Sequence, residues 1–383
     1  MKIVVSTASG IEAVTKRELN KLGVLGAPAY NGRIAFEGDI ALLYKCNLFL
    51  STASRVYIEL GAFKCASFDE LYDGLKEIPF EEYISENGRV IVEAKLVSSA
   101  LHAVSATQSV AKKAIVNRLI AAYKAKTLTE KGERYIVEIA VTKDFCTVLL
   151  NVSGEGLHRR GYRTLVGEAQ LKETLASALI DLSVWNPERP FADIFCGTGT
   201  IAIEAALKAK NIPCGIKRDF DFLYHKNADK NLFENIKSEA ISRIIDKTPN
   251  KIIASDIDEN QLKLLKRHAK AAGVTSDIDV RLADMKDFKS ELKRGVVISN
   301  PPYGERLSER KEIETLYREL SNVAANNPDW CFYTLTPVDD FERLFGRKAD
   351  KKRKLYNGRI ECVYYAHLAK PPIKNLQNFQ NNY

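Results

Sequence analysis

The stretch that most limits what this chain can become is Phe191-Ala-Asp-Ile-Phe195, followed by Cys-Gly-Thr-Gly-Thr200 and Ile201-Ala-Ile-Glu-Ala-Ala-Leu207. A short apolar run, a turn with two glycines and an apolar helical segment read as strand, tight turn and helix. Gly197 and Gly199 let the backbone turn sharply and approach a ligand, while the helix beginning near Thr200 offers unpaired N–H groups. Further strands are expected at Lys251–Ser255, Asp277–Arg281, Gly295–Ser299 and Cys331–Thr336, with helical segments between them. An Asn357-Gly358 turn then joins Lys354–Tyr356 to Ile360–His367. The pattern predicts a mostly parallel α/β sheet whose final strand runs antiparallel, with ligands at the carboxyl edge of the strands.

Which ligand the glycine turn serves is decided by what is missing. A dinucleotide asks for G-x-G-x-x-G with an acidic residue about 20 residues on. Here Ala202 stands at the third glycine position, and Asp256, the next acid ending a strand, comes much later. A phosphate-binding loop needs Gly-Lys-Ser/Thr, which is absent. Asp193, just before the turn, would repel a pyrophosphate but suits a cation. S-adenosylmethionine has a sulfonium, an ammonium and a ribose diol, and no phosphate. Asp256 is expected to accept both ribose hydroxyls, because Asp258, with Gln261 three residues on, supplies the helix cap and leaves Asp256 free. In Leu282-Ala-Asp-Met285, Asp284 is placed to accept the adenine amino group and Met285 to pack on the ring.

After the apolar run Gly295–Ile298 comes Ser299-Asn-Pro-Pro-Tyr-Gly-Glu-Arg-Leu307. As structure alone, Asn-Pro-Pro is an efficient strand stop. As chemistry, Pro302 has no N–H to compete for the Pro301 carbonyl, which is therefore held rigidly in the open. If the Asn300 side-chain oxygen and the Pro301 carbonyl accept the two hydrogens of an exocyclic amine, its lone pair is steered toward a methyl donor. Tyr303 can stack on a flipped base, and Gly304 gives the room.

The net charge of +8 favours an acidic partner. Upstream, Lys2–Ser6 reads as a strand, Ile11-Val14-Leu19-Leu22 as a helix face, and Tyr30-Asn-Gly-Arg-Ile34 as a hairpin turn. The same five letters return at Tyr356–Ile360 and are expected to be one turn solution used twice. A second α+β unit has strands Arg89–Lys95, Tyr135–Val141 and Cys146–Val152 around a helix Ser105–Tyr123, which carries Lys112, Lys113 and Arg118. These cations suit a solvated face or a phosphate contact. The segment Gly154–Gly167 holds Arg159, Arg160 and Arg163 with His158 and Tyr162; it reads either as a linker that grips phosphates or as a solvated connector. Arg347-Lys348 and Lys351–Lys354 form another basic run open to both readings. The seven cysteines have no metal-ligand spacing and are odd in number, which argues against structural zinc and disulfides. No apolar stretch is long enough for a membrane span, and the N-terminal run is too short for a signal peptide, so the expected location is the cytoplasm.

The ordered motifs at Asp193–Thr200, Ser255–Asp258, Ala283–Met285 and Asn300–Tyr303 resemble the class I methyltransferases that modify amino nitrogens. Ser105–Lys113 is similar to a THUMP RNA-binding domain, Leu157–Arg163 to the connector that follows it, and Leu171-Lys-Glu-Thr-Leu175 to an extra cofactor-side motif. The whole resembles bacterial RlmL-type guanine-N2 methyltransferases of large-subunit ribosomal RNA. That resemblance implies a Rossmann-like methyltransferase sheet at 171–370, a ferredoxin-like α+β unit at 1–63, a THUMP unit at 64–155, a basic linker at 156–170 and a polar tail at 371–383. It implies S-adenosyl-L-methionine as cofactor, held by Lys172, Glu173, Thr174, Asp193, Gly197, Thr198, Gly199, Asp256, Ile257, Asp284, Met285 and Asn300. Catalysis falls to Asn300, Pro301, Pro302 and Tyr303, and RNA binding to Lys112, Lys113, Arg118, Arg159, Arg160 and Arg163, with no metal. The partner is RNA, 23S rRNA first and tRNA as the alternative; the same catalytic motif also serves DNA adenine and protein glutamine.

Overall fold

The computed structural model describes residues 1–30, 32–163, 171–303 and 310–369, and all structural statements below concern these. The tail 371–383, residues 164–170 of the linker 156–170, and Gly304 lie outside them. The chain divides into two compact units, Met1–Gly161 with Ile212–Ile244, and Tyr162–Asn211 with Ile245–Tyr383.

In the first unit, β1 (Lys2–Thr7), α1 (Glu12–Lys21), β2 (Ala29–Tyr30), β3 (Arg33–Glu37) and α2 (Ile40–Phe49) lead into the long strand β4 (Ala53–Lys64). Next come α3 (Phe68–Lys76), β5 (Arg89–Val97), α4 (Val104–Tyr123), β6 (Arg134–Thr142) and β7 (Phe145–Asn151). The expected ferredoxin-like and THUMP units share one seven-stranded sheet, ordered β2-β3-β1-β4-β7-β6-β5. The twelve residues of β4 make this possible: the part from Ala53 to Ile58 pairs with β1 and the part from Tyr57 to Lys64 with β7. On α4, Thr107, Ala111, Ala114, Ile115 and Leu119 are buried, a stripe at the helical period that leaves Lys112, Lys113 and Arg118 off the core face.

The second unit opens with α5 (Glu173–Leu182), β8 (Phe191–Asp193) and α6 (Thr200–Ala209). The chain then returns to the first unit. Residues 212–244, which the sequence places inside a continuous 171–370 domain, carry α7 (Lys230–Ser242) and deliver Phe220, Phe222, Phe233, Ile236 and Ala240 to the first unit's core. Phe222 stacks on Tyr44 with ring centroids 4.4 Å apart, Asp221 pairs with Arg134 at 2.8 Å, and the Asp229 N–H donates to the Tyr44 hydroxyl at 2.8 Å. Aromatic side chains in that number have to be covered, and the first unit's core supplies the cover.

Back in the second unit follow β9 (Ile252–Asp256), α8 (Glu259–Ala272), β10 (Ile278–Leu282), β11 (Val296–Ser299), α9 (Arg310–Asn326), β12 (Cys331–Thr336), α10 (Phe341–Leu344), β13 (Lys351–Asn357) and β14 (Ile360–His367). The sheet order is β10-β9-β8-β11-β12-β14-β13. The first five strands are parallel, and β14 runs antiparallel to both of its neighbours, as the hairpin turn requires. Strand order reverses between β8 and β11, so the crevice that binds ligands in such sheets opens at the carboxyl ends of these two strands. One face is sealed by Ile313, Tyr317, Leu320 and Val323 of α9 against Val297, Phe332 and Tyr365. The basic run at 351–354 is the edge strand β13, where lysines discourage pairing with another chain. Lys352 pairs with Glu342 at 2.8 Å, Lys354 with Glu361 at 2.6 Å and Arg347 with Asp350 at 2.6 Å, so these cations are already engaged.

The repeated pentapeptide does not make the same turn twice. In Tyr30–Ile34 the pair Tyr30–Arg33 closes the hairpin, whereas in Tyr356–Ile360 it is Asn357–Ile360. The second turn therefore has Gly358 and Arg359 at its centre, with Gly358 at φ +64°, and Asn357 ends β13 instead of turning.

Candidate active site

Asp193 ends β8 and is only 1% exposed. Burial, with the Asp256 charge adding to it, pushes its carboxyl up to about 8, against a backbone N–H from Phe195 that favours the ionised form. A cation bound beside it would favour the ionised form and release this proton, so the buried acid fits a positively charged ligand. The glycine loop follows, and its two glycines do different work. Gly197, at φ +49°, has nothing within 4 Å of where a Cβ would project, so this side of the loop is open to a ligand. At Gly199, φ +87°, a Cβ would lie 2.5 Å from Leu265 Cγ; this glycine lets α6 and α8 pack rather than touching the cofactor.

Asp256 is not free, contrary to expectation. Its Oδ2 accepts the Gly197 N–H at 2.8 Å and its Oδ1 accepts the Asp258 N–H at 3.0 Å. Each oxygen keeps a further lone pair for a ribose hydroxyl. The expected capping box fails for the same reason: the Asp258 N–H goes to Asp256, while the Asp258 side chain accepts the Asn260 N–H at 2.8 Å. Beyond Asp256, Ile257 is 73% exposed, and Leu282, which pairs with Asp256 in the strand register, is also exposed, so the carboxyl edge offers two bare apolar side chains. Met285 does not face them. It is 2% exposed and belongs to the core under α9 with Phe288, which removes it as an adenine contact. Asp284 is half-buried and accepts the Lys286 N–H at 3.0 Å.

Lys172 is exposed and precedes α5, whose Glu173 and Thr174 are buried. Arg163, expected on RNA, instead sits in the second unit, 3.6 Å from Glu173 and donating to Thr200 at the start of α6. Its Nε is buried with no partner, as is Nε2 of His268. His268 donates through Nδ1 to the Thr198 carbonyl at 3.3 Å, and burial, with the Arg163 charge adding to it, lowers its pKa so that the ring stays neutral. Sequence reasoning missed His268 entirely; a histidine on the apolar side of an amphipathic helix gives no signal of which loop it will support.

Asn300 and Tyr303 are half-buried, Pro301 is buried and Pro302 exposed at the carboxyl end of β11. Among the described residues no backbone N–H reaches the Pro301 carbonyl, which leaves it available as an acceptor. The Tyr303 hydroxyl donates to Asn300 Oδ1 at 2.5 Å and accepts from Asn357 Nδ2 at 3.2 Å. The Cys362 thiol lies 3.8 Å from the same hydroxyl. Asp193 and Asn300 thus end neighbouring strands, β8 and β11.

The other expected RNA contacts divide. Arg160 is 3% exposed and donates to the carbonyls of Leu157, at 2.7 Å, and Ser51; it holds the fold and cannot grip a phosphate. Lys112 pairs with Glu130, and Arg118 pairs with Glu81 at 3.0 Å, so both charges are neutralised locally. Lys113 is exposed, and Arg159, with its side chain 68% exposed, pairs with the solvent-facing Glu155 at 3.0 Å. No helix among the described residues is long and apolar enough to cross a membrane, and no described cluster of His, Cys, Asp and Glu could hold a metal ion.

Comparison with known families and proteins agrees with this geometry. Residues 160–366 match an RMKL-like methyltransferase domain, 2–57 an RlmL ferredoxin-like domain and 65–151 a THUMP domain. The chain is 41% identical over 380 residues to a Bacillus subtilis protein named "Putative RNA methyltransferase YpsC", covering 98% of each. It is 32% identical over 367 residues to the ribosomal RNA large subunit methyltransferase K/L of Psychromonas ingrahamii, spanning 94% of this chain and 49% of that relative's length. The crystal structure of SMU.472 complexed with S-adenosylhomocysteine superposes with a TM-score of 0.92 at 38% identity, covering 97% of this chain and 98% of the other. The chain belongs to the RlmL-like, THUMP-containing family of S-adenosylmethionine-dependent RNA methyltransferases.

Proposed function

We propose that the protein methylates the exocyclic N2 of a guanine in 23S rRNA. The observation that carries this reading is the pair of acceptors at the end of β11, the Asn300 side-chain oxygen and the Pro301 carbonyl, which no backbone N–H of a described residue reaches, next in the sheet to the buried acid that ends β8. The guanine amino group is a weak nucleophile because its lone pair is delocalised into the ring. Two fixed acceptors on its hydrogens favour a tetrahedral nitrogen and aim the lone pair, which is catalysis by orientation and polarisation. S-adenosylmethionine supplies the electrophilic methyl group. Asp193 meets the donor's positive charge, Gly197 leaves room for it, and Asp256, Ile257 and Leu282 line the edge where its ribose and adenine are expected. The Tyr303 ring offers a stacking face for an unpaired base. The large-subunit specificity rests on the 32% identical relative, and an rRNA substrate implies action in the cytoplasm.

Incubation with methyl-labelled donor and separate pools of unmodified 23S rRNA, tRNA, DNA and protein tests the reading. Label in 23S rRNA released as N2-methylguanosine is expected; label in tRNA alone would move the substrate to tRNA, and label only in DNA or protein would overturn the proposal. Asn300→Ala is expected to lower transfer by about a hundredfold or more, the scale of one lost preorganised charge-stabilising group, with donor affinity retained by calorimetry.

A further inference from the structure

The hairpin that ends the catalytic sheet reaches into the Asn-Pro-Pro-Tyr loop, and nothing in the amine-orienting chemistry described above requires it to. Asn357 Nδ2 donates to the Tyr303 hydroxyl at 3.2 Å, and that hydroxyl donates to Asn300 Oδ1 at 2.5 Å. A phenol has one proton to give and two lone pairs with which to accept. The amide N–H of Asn357 and the thiol of Cys362, 3.8 Å away, occupy the accepting side, so the single hydroxyl proton is directed at Asn300. We propose that Asn357 is a positioning residue for methyl transfer: through the Tyr303 hydroxyl it fixes the side-chain oxygen of Asn300, leaving that oxygen's second lone pair turned to the incoming amine.

This inference rests on the reading of the site as an amine methyltransferase and adds to it a residue from the opposite end of the domain. The one-residue difference between the two Tyr-Asn-Gly-Arg-Ile hairpins is what makes the contact available, because it leaves Asn357 in β13, paired with Ile360, rather than at the turn. The relay also assigns the hydroxyl a duty distinct from the ring. The ring can stack on a base with or without the hydroxyl, whereas orienting Asn300 needs the hydroxyl alone. Because Cys362 is fully buried and its thiol is a weak donor, Asn357 is the partner that sets the direction.

Asn357→Ala, Tyr303→Phe and the double variant separate this role from a merely structural one, with methyl-labelled donor and in-vitro-transcribed 23S rRNA as substrates. Each single variant is expected to lower kcat roughly tenfold, the worth of one oriented hydrogen bond. The double variant should lose no more than either single, since both cut the same relay. KM for RNA, donor affinity and Tm should stay near those of the unaltered protein. Asn357→Asp should fall below Asn357→Ala, because a carboxylate accepts the tyrosine proton and draws it away from Asn300. An unchanged kcat in Asn357→Ala, or additive losses in the double variant, would overturn the proposal. If the unaltered protein labels no RNA, the functional reading fails by itself; crystals of Asn357→Ala still decide the relay, which is refuted if the Asn300 amide keeps its orientation there.

Discussion

At the scale of single residues, Asp193 couples stability to the charge that the site awaits. Its ordinary carboxyl titrates near 3.8 when unfolded and near 8 in the folded protein. Between those values the native state holds a proton that the unfolded state has lost, so its contribution to stability falls as pH rises through that window. Asp193→Asn removes the titration. The Tm advantage of this variant over the unaltered protein, measured without donor, is expected to grow from pH 4 to 8 and then level off. Donor affinity should move the other way, weakening on the order of tenfold to a hundredfold when the counter-charge is removed, as calorimetry with S-adenosylmethionine would show. Asp193, Gly197 and Asn300 were legible because each ends or follows a strand whose apolar letters mark it. The engagement of Asp256 was not, since its partner N–H belongs to Gly197, 59 residues away in sequence. Hydrogen bonds between distant loop atoms leave no pattern in composition or period.

At the scale of elements, the basic connector splits between two tasks. Arg159, together with Lys113, is exposed, while Arg160 is sealed under carbonyls and Arg163 rests against Glu173. Replacing Arg159 and Lys113 with alanine is expected to flatten the salt dependence of RNA binding, by about 0.7 to 0.9 in log–log slope for each phosphate that is no longer neutralised. Arg163→Ala should leave that slope unchanged and instead lower Tm, because it removes a largely buried cation that pairs with Glu173 and donates to Thr200. A filter-binding titration over salt, run beside thermal melts, separates the two. The sequence marks all three arginines alike, because charge type says nothing about burial. Strand positions were far more readable: the expected Cys331–Thr336 and Ile360–His367 match β12 and β14, and the other strands shift by only a few residues at their ends. The hairpin shows the limit of such reading. Five identical letters close in two registers, and the choice is made by what the flanking strands pair with, not by the turn itself.

At the scale of the whole molecule, the excursion 212–244 is the feature that the motifs could not disclose. Between α6 and β9 the sequence offers only a helix and an aromatic-rich approach to it, and a strand-to-strand connection of ordinary kind would fit. The aromatic cluster of Tyr44, Phe220, Phe222 and Phe233 belongs instead to the core of the first unit. Phe222→Ala should destabilise that unit by about 3 to 5 kcal/mol, the usual loss for a buried aromatic, seen as an earlier unfolding transition in urea. A fragment ending at Gly161 should fail to fold, showing exchange-averaged amide spectra, whereas the same fragment supplied with a 212–244 peptide should recover dispersion.

That threading sets an order of events during translation. The amino-terminal core stays open until Ile236 and Ala240 have cleared the ribosomal tunnel, and by then the first strand and glycine loop of the catalytic sheet have already emerged. The first unit can close once residue 244 has emerged, whereas the catalytic sheet must wait for β9 to β14, so a growing chain that stalls before residue 244 exposes both unfinished interiors to chaperones at once.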